Sequence, residues 1–166
     1  RYVLADDPGS GKTIMSGLYI RELQIRGLLR NCLIVAPGSL VVNWQEELLD
    51  KFGLRAEIIS RDRVESAPNG EPFTRDDIYI ARLDMLKMDE ELIRTTCSHT
   101  WDLIIVDEAH KMSVSIFGSE SKESKRFKLG MEVQKVAVNY LLLTATPHNG
   151  KSHEFQQWLR LLDNDR

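Results

Sequence analysis

The sequence predicts an α/β fold, with a mostly parallel sheet that is covered by helices on both faces. Short, β-rich apolar runs recur along the chain, and longer amphipathic stretches separate them. The runs are apolar throughout instead of alternating with polar residues, which is typical of strands that are buried on both faces. Strands that alternate with helices favour parallel pairing, because each helix carries the chain back to the start of the next strand.

Six apolar runs are the predicted strands, at residues 2–5, 32–36, 56–60, 78–81, 103–106 and 140–143. Three amphipathic stretches predict helices, because apolar residues recur in them at spacings of three and four. These apolar positions are Met15, Leu18, Tyr19 and Leu23 in the first helix, Val41, Trp44, Leu48 and Phe52 in the second, and Met85, Met88 and Leu92 in the third.

Capping and turn residues set the expected boundaries of these elements. We expect the first helix to end near Gly27, and the second to run from an N-cap at Ser39 to a stop at Gly53. Proline and glycine predict a surface loop over residues 61–72. A composition rich in Ser and Lys predicts a loop over residues 113–128 that runs into a helix.

Composition and charge narrow the class of protein. The chain has 166 residues, 42% of them apolar, which suffices for one domain with a buried core. Its formal charge of −3 argues against a broad basic surface for nucleic acid and is compatible only with a local groove of Lys and Arg. The two cysteines lack the spacing of a metal site and fit a reducing cytoplasm. No apolar run approaches the roughly 18 residues of a membrane span, so we expect no membrane partner.

The first candidate site follows the first predicted strand and opens the first helix. Residues 6–13 read Asp-Asp-Pro-Gly-Ser-Gly-Lys-Thr. Glycines let several backbone N–H groups point at one anion, and a helix N-terminus adds positive potential. Lys12 is then placed to reach the β- and γ-phosphates of a nucleotide, and Thr13 to ligate Mg²⁺.

The alternative is a Gly-rich turn with a solvated lysine, because Asp6 stands where the general phosphate-loop pattern has its first glycine. A dinucleotide fingerprint is excluded, since its third glycine is Ile14 here.

The second candidate site follows the predicted strand at residues 103–106. Asp107, Glu108, Ala109 and His110 come directly after this strand. Phosphoryl transfer needs a cation that neutralises developing charge and a group that aims the nucleophile. Asp107 is suited to hold the cation, and Glu108 is suited to orient and deprotonate the attacking water. The alternative is that these residues form a solvated strand end without a catalytic role. Because ligands of α/β folds bind at the carboxyl edge of the sheet, both candidate sites are expected to open there together.

The two motifs resemble those of the helicases and translocases of superfamily 2. The form A-D-x-x-G-x-G-K-T at residues 5–13 is similar to the Swi/Snf-type branch, and above all to its bacterial and archaeal RapA-like group. Three further matches follow in the family's order, at residues 33–48, 101–111 and 141–147. The resemblance covers nearly the whole chain apart from the two predicted loops.

The resemblance implies a RecA-like P-loop NTPase lobe that binds ATP and Mg²⁺. It implies that residues 1–166 form the first lobe of a longer protein with a second RecA-like lobe. The implied catalytic residues are Lys12, Asp107 and Glu108, and the implied metal ligands are Thr13 and Asp107. The implied cofactor-binding residues are Asp7, Pro8, Gly9, Ser10, Gly11, Lys12, Thr13 and Ile14.

The resemblance also implies a connection between the nucleotide and a nucleic acid. It assigns the coupling of the two sites to His110, Thr144 and Thr146. It brings Pro37, Gly38 and Ser39 to the backbone of the tracked strand, and Arg82 falls near another expected strand-contacting motif.

The implied function is ATP-driven movement along nucleic acid, with duplex DNA as the partner. In the family, the adenine-reading segment and the arginine finger lie outside residues 1–166, so we expect this lobe alone to bind nucleotide weakly and to turn over near background. One alternative is a nucleotide-gated binding module without hydrolysis, which the intact Glu108 disfavours. Another is the motor of a restriction or RNA-remodelling system, which has the same core motifs. Trp44 and Trp158 fall on helical apolar faces and are expected to pack rather than to stack on bases.

Overall fold

The structure, a computed structural model, describes residues 1–7, 9–73, 77–112, 114–117, 120–145, 156 and 158–162. Its strands are β1 (Tyr2–Ala5), β2 (Cys32–Ala36), β3 (Glu57–Ile59), β4 (Ile78–Arg82), β5 (Trp101–Val106), β6 (Val114–Phe117), β7 (Glu120–Glu123) and β8 (Ala137–Thr144). Its helices are α1 (Lys12–Ile25), α2 (Val41–Phe52), α3 (Arg61–Ser66), α4 (Leu83–Leu86), α5 (Glu90–Ser98) and α6 (Lys125–Lys135). Short 3₁₀ turns lie at Pro68–Gly70 and Ala109–Lys111.

Six of the strands form one parallel sheet in the order β1-β8-β5-β2-β4-β3. The register aligns their carboxyl ends, since Ala5 lies opposite Thr144 and Val35 lies opposite Val106. The loops that follow β1, β2, β4 and β5 therefore leave the sheet at one edge. Both candidate sites follow strands that end there.

The helices bury two apolar clusters, one on each face of the sheet. Alternate residues of β2 illustrate this, because Leu33 and Val35 belong to one cluster and Ile34 to the other. Residues of α1 and α2 pack on the Ile34 side, and residues of α4, α5 and α6 pack on the Leu33 side. The predicted α/β class, with a parallel sheet covered on both faces, is confirmed. None of the helices in the described part of the chain has the length and apolar character that crossing a bilayer requires.

Three predictions of local structure were wrong. Residues 61–72 contain α3 and a 3₁₀ turn instead of a loop, because Ser60 caps α3 by accepting a hydrogen bond from the Arg63 amide. The third predicted helix is divided into α4 and α5, because the Asp89 carboxylate accepts from the Leu92 amide and starts a new helix. Residues 113–128 contain an antiparallel hairpin of β6 and β7 before α6 begins.

The boundaries of α2 are confirmed at one end only. Gly53 has a φ of 61° and ends the helix in the left-handed conformation, as expected. Ser39 is not the N-cap, since Leu40 occupies that position and no side chain caps the helix. The chain turns between Pro37 and α2 through a hydrogen bond of 2.9 Å from the Leu40 amide to the Pro37 carbonyl oxygen.

The first helix buries only part of the face that its apolar spacing predicts. Met15 and Leu18 are 46% and 58% exposed, whereas Ser16, Gly17, Ile20 and Leu23 are buried. Small residues face inward because α1 packs closely on α2. A Cβ atom added to Gly17 would overlap the aromatic ring of Phe52 at the end of α2.

We expect Gly17→Ala to lower the free energy of unfolding by about 1 kcal/mol, because overpacking costs about 1–3 kcal/mol and exceeds the roughly 1 kcal/mol that alanine contributes in a helix. Urea denaturation measures the change. In a Phe52→Ala background the same substitution should instead stabilise the protein, because the clash is gone. Equal effects in the two backgrounds would show that the ring does not set this packing.

Candidate active site

The first motif forms a loop between β1 and α1. Gly9 and Gly11 have φ angles of 81° and 88°, in the left-handed region that glycine adopts without steric cost. Gly11 directly precedes α1, and no side chain caps the helix there. The first backbone amides of α1 are therefore available to donate hydrogen bonds to an anion from outside the helix. Pro8 lies outside the described residues.

Lys12 bends back over the loop that precedes it. Its Nζ donates hydrogen bonds to the carbonyl oxygens of Asp6, at 2.7 Å, and Asp7, at 2.8 Å. An ammonium has three N–H groups, so one donor remains beyond these two contacts. The side chain is half-buried, and it brings a positive charge to the loop whose backbone already turns at two glycines.

The second motif begins with a buried carboxylate. Asp107 follows β5, is 8% exposed, and donates its amide to the Val35 carbonyl oxygen at 2.8 Å. Its Oδ1 accepts a hydrogen bond of 2.8 Å from the Glu108 amide. Its Oδ2 accepts one of 2.8 Å from Trp44 Nε1. Because a carboxylate oxygen has two lone pairs, each oxygen keeps one for a cation or water.

Electrostatics connect the two motifs. Burial raises the pKa of Asp107, while the hydrogen bonds from Trp44 and Glu108 and the positive charge of Lys12 oppose this rise. The structure thus brings the lysine of the first motif within electrostatic reach of the aspartate of the second. The two segments are 95 residues apart in the sequence, as 107 − 12 = 95, and meet at the carboxyl edge of the sheet.

Glu108 has a strained backbone. Its φ of 51° and ψ of 43° are left-handed, and among the described residues it is the only non-glycine residue with a positive φ. Such a conformation costs an L-residue roughly 1–2 kcal/mol. The turn directs the half-buried carboxylate towards His110, whose Nδ1 lies 3.2 Å from Glu108 Oε2.

His110 and Thr144 connect this turn to the neighbouring strand. His110 Nδ1 also lies 3.1 Å from the Thr144 hydroxyl oxygen. A carboxylate only accepts, so a proton on Nδ1 suits the contact with Glu108. Thr144 ends β8, and its carbonyl oxygen accepts a hydrogen bond of 3.1 Å from the Asp6 amide at the start of the first motif. Thr144 therefore contacts both motifs, whereas Thr146 lies outside the described residues.

The residues expected to contact nucleic acid also lie together. Arg82 ends β4 beside the turn that follows β2, and its Cδ lies 3.7 Å from the position a Cβ of Gly38 would occupy. Gly38, Ser39 and Arg82 are exposed, and Pro37 is buried. These residues lie at the carboxyl ends of two neighbouring strands, at the same edge as the two motifs.

Two tryptophans hold the second motif, and this role was missed in the sequence. Both are buried, as expected, but each also donates a hydrogen bond into the motif. Trp44 Nε1 donates to the Asp107 carboxylate, and Trp158 Nε1 donates to the Ala109 carbonyl oxygen at 2.8 Å. A buried indole N–H usually has a partner. That rule was the only signal available, and it does not say which acceptor is used.

The residues present suit a cation that is shared with phosphates. Within the described ranges, no three His, Cys, Asp or Glu side chains are grouped so that they could hold a metal ion. Mg²⁺ is commonly bound through one or two carboxylates together with water and phosphate oxygens. Asp107 offers one such carboxylate with free lone pairs, so the donor set fits Mg²⁺ in the presence of a nucleotide.

Comparison with known proteins places this site in a family. A family model described as the SNF2-related domain matches residues 2–166. The chain belongs to this family. The resemblance to the Swi/Snf-type branch is thereby confirmed.

Relatives of this SNF2-related domain are longer than the chain. The chain is 35% identical over 169 residues to the RNA polymerase-associated protein RapA of Yersinia pestis (strain Pestoides F). The match covers 100% of the chain and 17% of that relative. The SWI2/SNF2 ATPase core of Sulfolobus solfataricus in complex with dsDNA is similar with a TM-score of 0.74 and 25% identity, over 97% of this chain and 31% of that one. The Hef helicase domain of Pyrococcus furiosus has a TM-score of 0.69 and 20% identity, over 96% of this chain and 32% of that one, and supports the fold alone. The RecA-like fold is confirmed.

The strain at Glu108 of this SNF2-related domain is testable without ligand. We expect Glu108→Gly to be more stable than Glu108→Ala by roughly 1 kcal/mol, because both remove the carboxylate and only glycine relieves the left-handed φ. Urea denaturation of both variants measures the difference. An alanine variant as stable as the glycine variant would show that no strain is stored there.

Proposed function

We propose that this chain is the first ATP-binding lobe of a motor that couples ATP hydrolysis to movement along duplex DNA. The observation that carries the proposal is the convergence of the two motifs at one edge of the sheet, where the Asp6 amide bonds to Thr144 on the strand between β1 and β5. Membership of the SNF2-related family supports it. The chain spans 17% of the relative's length, so the second RecA-like lobe, like the motor's activity, belongs to the proposal.

The loop between β1 and α1 binds the ATP phosphates. Gly9 and Gly11 turn the backbone so that its amides face the anion, and Lys12 offers an ammonium. Thr13 and Asp107 hold Mg²⁺, which supplies positive charge to the phosphates when it is bound. The remaining residues that line the nucleotide are Asp7, Pro8, Ser10 and Ile14.

Glu108 orients and deprotonates the attacking water. Its half-buried carboxylate is held by the strained turn and faces His110. His110 and Thr144, with Thr146, couple this position to the nucleic acid, and the contacts of Thr144 with both motifs support that role. A shift of β8 relative to β5 would move Thr144, and would therefore change its contacts with His110 and with the first motif together.

Duplex DNA binds at the edge formed by the loops after β2 and β4. Pro37, Gly38, Ser39 and Arg82 contact one strand, and their adjacency supports a shared surface. The structural neighbour solved with dsDNA supports the choice of partner. The RNA polymerase-associated relative is compatible with a cytoplasmic protein that works on DNA.

We expect Lys12→Ala to abolish nucleotide binding, because the ammonium that faces the phosphates is lost. Glu108→Gln should leave binding intact and lower turnover by about 10²–10⁴-fold, because it removes the base alone. Equilibrium binding of a non-hydrolysable ATP analogue and phosphate release, measured on the chain joined to its second lobe, separate the two effects. Loss of binding in Glu108→Gln would contradict the division of roles.

The 166-residue chain alone should hydrolyse ATP near background, because an arginine from a second lobe contributes about 10³–10⁵ in the rate of phosphoryl transfer. Joined to its second lobe, it should be stimulated most by duplex DNA. Phosphate release without nucleic acid and with single-stranded DNA, duplex DNA or RNA tests both statements. Ordinary turnover by the chain alone would refute the need for a second lobe, and strongest stimulation by RNA would overturn the choice of duplex DNA.

A further inference from the structure

We infer that Trp44 is a positioning residue for the metal-binding carboxylate of Asp107. The inference rests on the proposed function, because it assigns a task within the same site. Trp44 lies on the first turn of α2 and is 1% exposed. Its Nε1 donates a hydrogen bond of 2.8 Å to Asp107 Oδ2.

This hydrogen bond fixes the rotation of the carboxylate. One oxygen is held by the Glu108 amide and the other by the Trp44 indole, so both side-chain acceptors have a donor in place. The Glu108 amide comes from the adjacent residue and from a strained turn. The indole comes from a separate helix and donates to the other carboxylate oxygen, Oδ2. It therefore restricts the rotation of the Asp107 side chain in a way that the turn alone does not.

The indole itself is firmly held. Trp44 belongs to the apolar cluster between the sheet and the two helices α1 and α2, together with Ile34, Leu48 and Ile80. A ring that is packed on all sides keeps its rotamer, so the N–H direction is set before any ligand arrives. The contact therefore orients the carboxylate in advance.

Trp44 also connects the turn at residues 37–39, which is proposed to contact DNA, with Asp107. The Trp44 amide donates to the Leu40 carbonyl oxygen at 2.9 Å, and the Leu40 amide donates to the Pro37 carbonyl oxygen. One helical turn thus separates the turn at residues 37–39 from the side chain that holds Asp107. A displacement of that turn would reach the metal-binding carboxylate through Trp44, independently of His110 and Thr144.

The direct test removes the indole N–H and measures the contribution of Mg²⁺ to nucleotide binding. Binding of a non-hydrolysable ATP analogue to the chain joined to its second lobe is titrated with Mg²⁺ and with excess EDTA. We expect Trp44→Phe to reduce the gain in affinity that Mg²⁺ produces by about 10–100-fold, because loss of a partner that orients a metal ligand typically has that effect. Binding in EDTA should stay unchanged, which a general loss of structure would not allow.

Trp101→Phe is the matched control. Trp101 is also 1% exposed, and its Nε1 donates to the Thr96 carbonyl oxygen at 3.0 Å, away from both motifs. It should keep the full effect of Mg²⁺. If Trp44→Phe does not fold, 3-benzothienylalanine at position 44 keeps the shape of the indole and lacks only the N–H.

A readout without nucleotide completes the test. The three tryptophans give three indole N–H signals in a ¹⁵N spectrum of the chain, assigned by the phenylalanine variants. Asp107→Ala should shift the Trp44 signal and leave that of Trp101 in place. An unmoved Trp44 signal, or an unchanged effect of Mg²⁺ in both variants at position 44, would overturn the inference and leave the proposed function standing. A wild-type chain whose nucleotide binding does not respond to Mg²⁺ would overturn both.

Discussion

The charge of Asp107 has to be accommodated where β5, third of the six strands in the sheet, reaches its carboxyl edge. A buried carboxylate without partners would be costly, and the chain offsets this cost with donors from two directions and with the nearby positive charge of Lys12. The donor from α2 requires the helix to pack closely on the sheet. The nearby ammonium requires the loop after β1 to open at the same edge. Much of the local architecture is consistent with this one requirement.

The turn at Glu108 is connected to three other parts of the chain. Trp158 holds the carbonyl of Ala109, His110 contacts Thr144, and the amide of Asp107 bonds to β2. A left-handed glutamate persists only where its surroundings fix it, and these contacts do so. The strain and the contacts together give the Glu108 carboxylate a defined direction before any ligand binds.

The sequence was a good guide wherever one physical rule dominated. Continuous apolar runs predicted the six parallel strands, and Gly53 predicted the end of α2, because few alternatives satisfy those patterns. It was a poor guide where tertiary packing decides. The buried face of α1 follows from the close approach of Phe52 to Gly17, which apolar spacing does not reveal. The capping residues of α3 and α5 were present in the sequence. The signal of Ser60 was outweighed by the Pro and Gly that follow it, and the signal of Asp89 by the helical spacing of Met85, Met88 and Leu92 across it.

The sequence predicted that the two motifs open at the same edge of the sheet, as they do in the structure, but it did not predict the contacts between them. The roles expected of Lys12, Asp107 and Glu108 were predicted from residue types at fixed spacings in the sequence. The hydrogen bond from Trp44 could not be predicted in this way, because it depends on how α2 lies against the sheet. The most direct measurement is a crystal structure of the chain with Mg²⁺ and a non-hydrolysable ATP analogue. We expect one triphosphate between Lys12 Nζ and the Asp107 carboxylate, with the ion beside Asp107. A triphosphate bound elsewhere, with these two side chains turned away from it, would contradict the assignment.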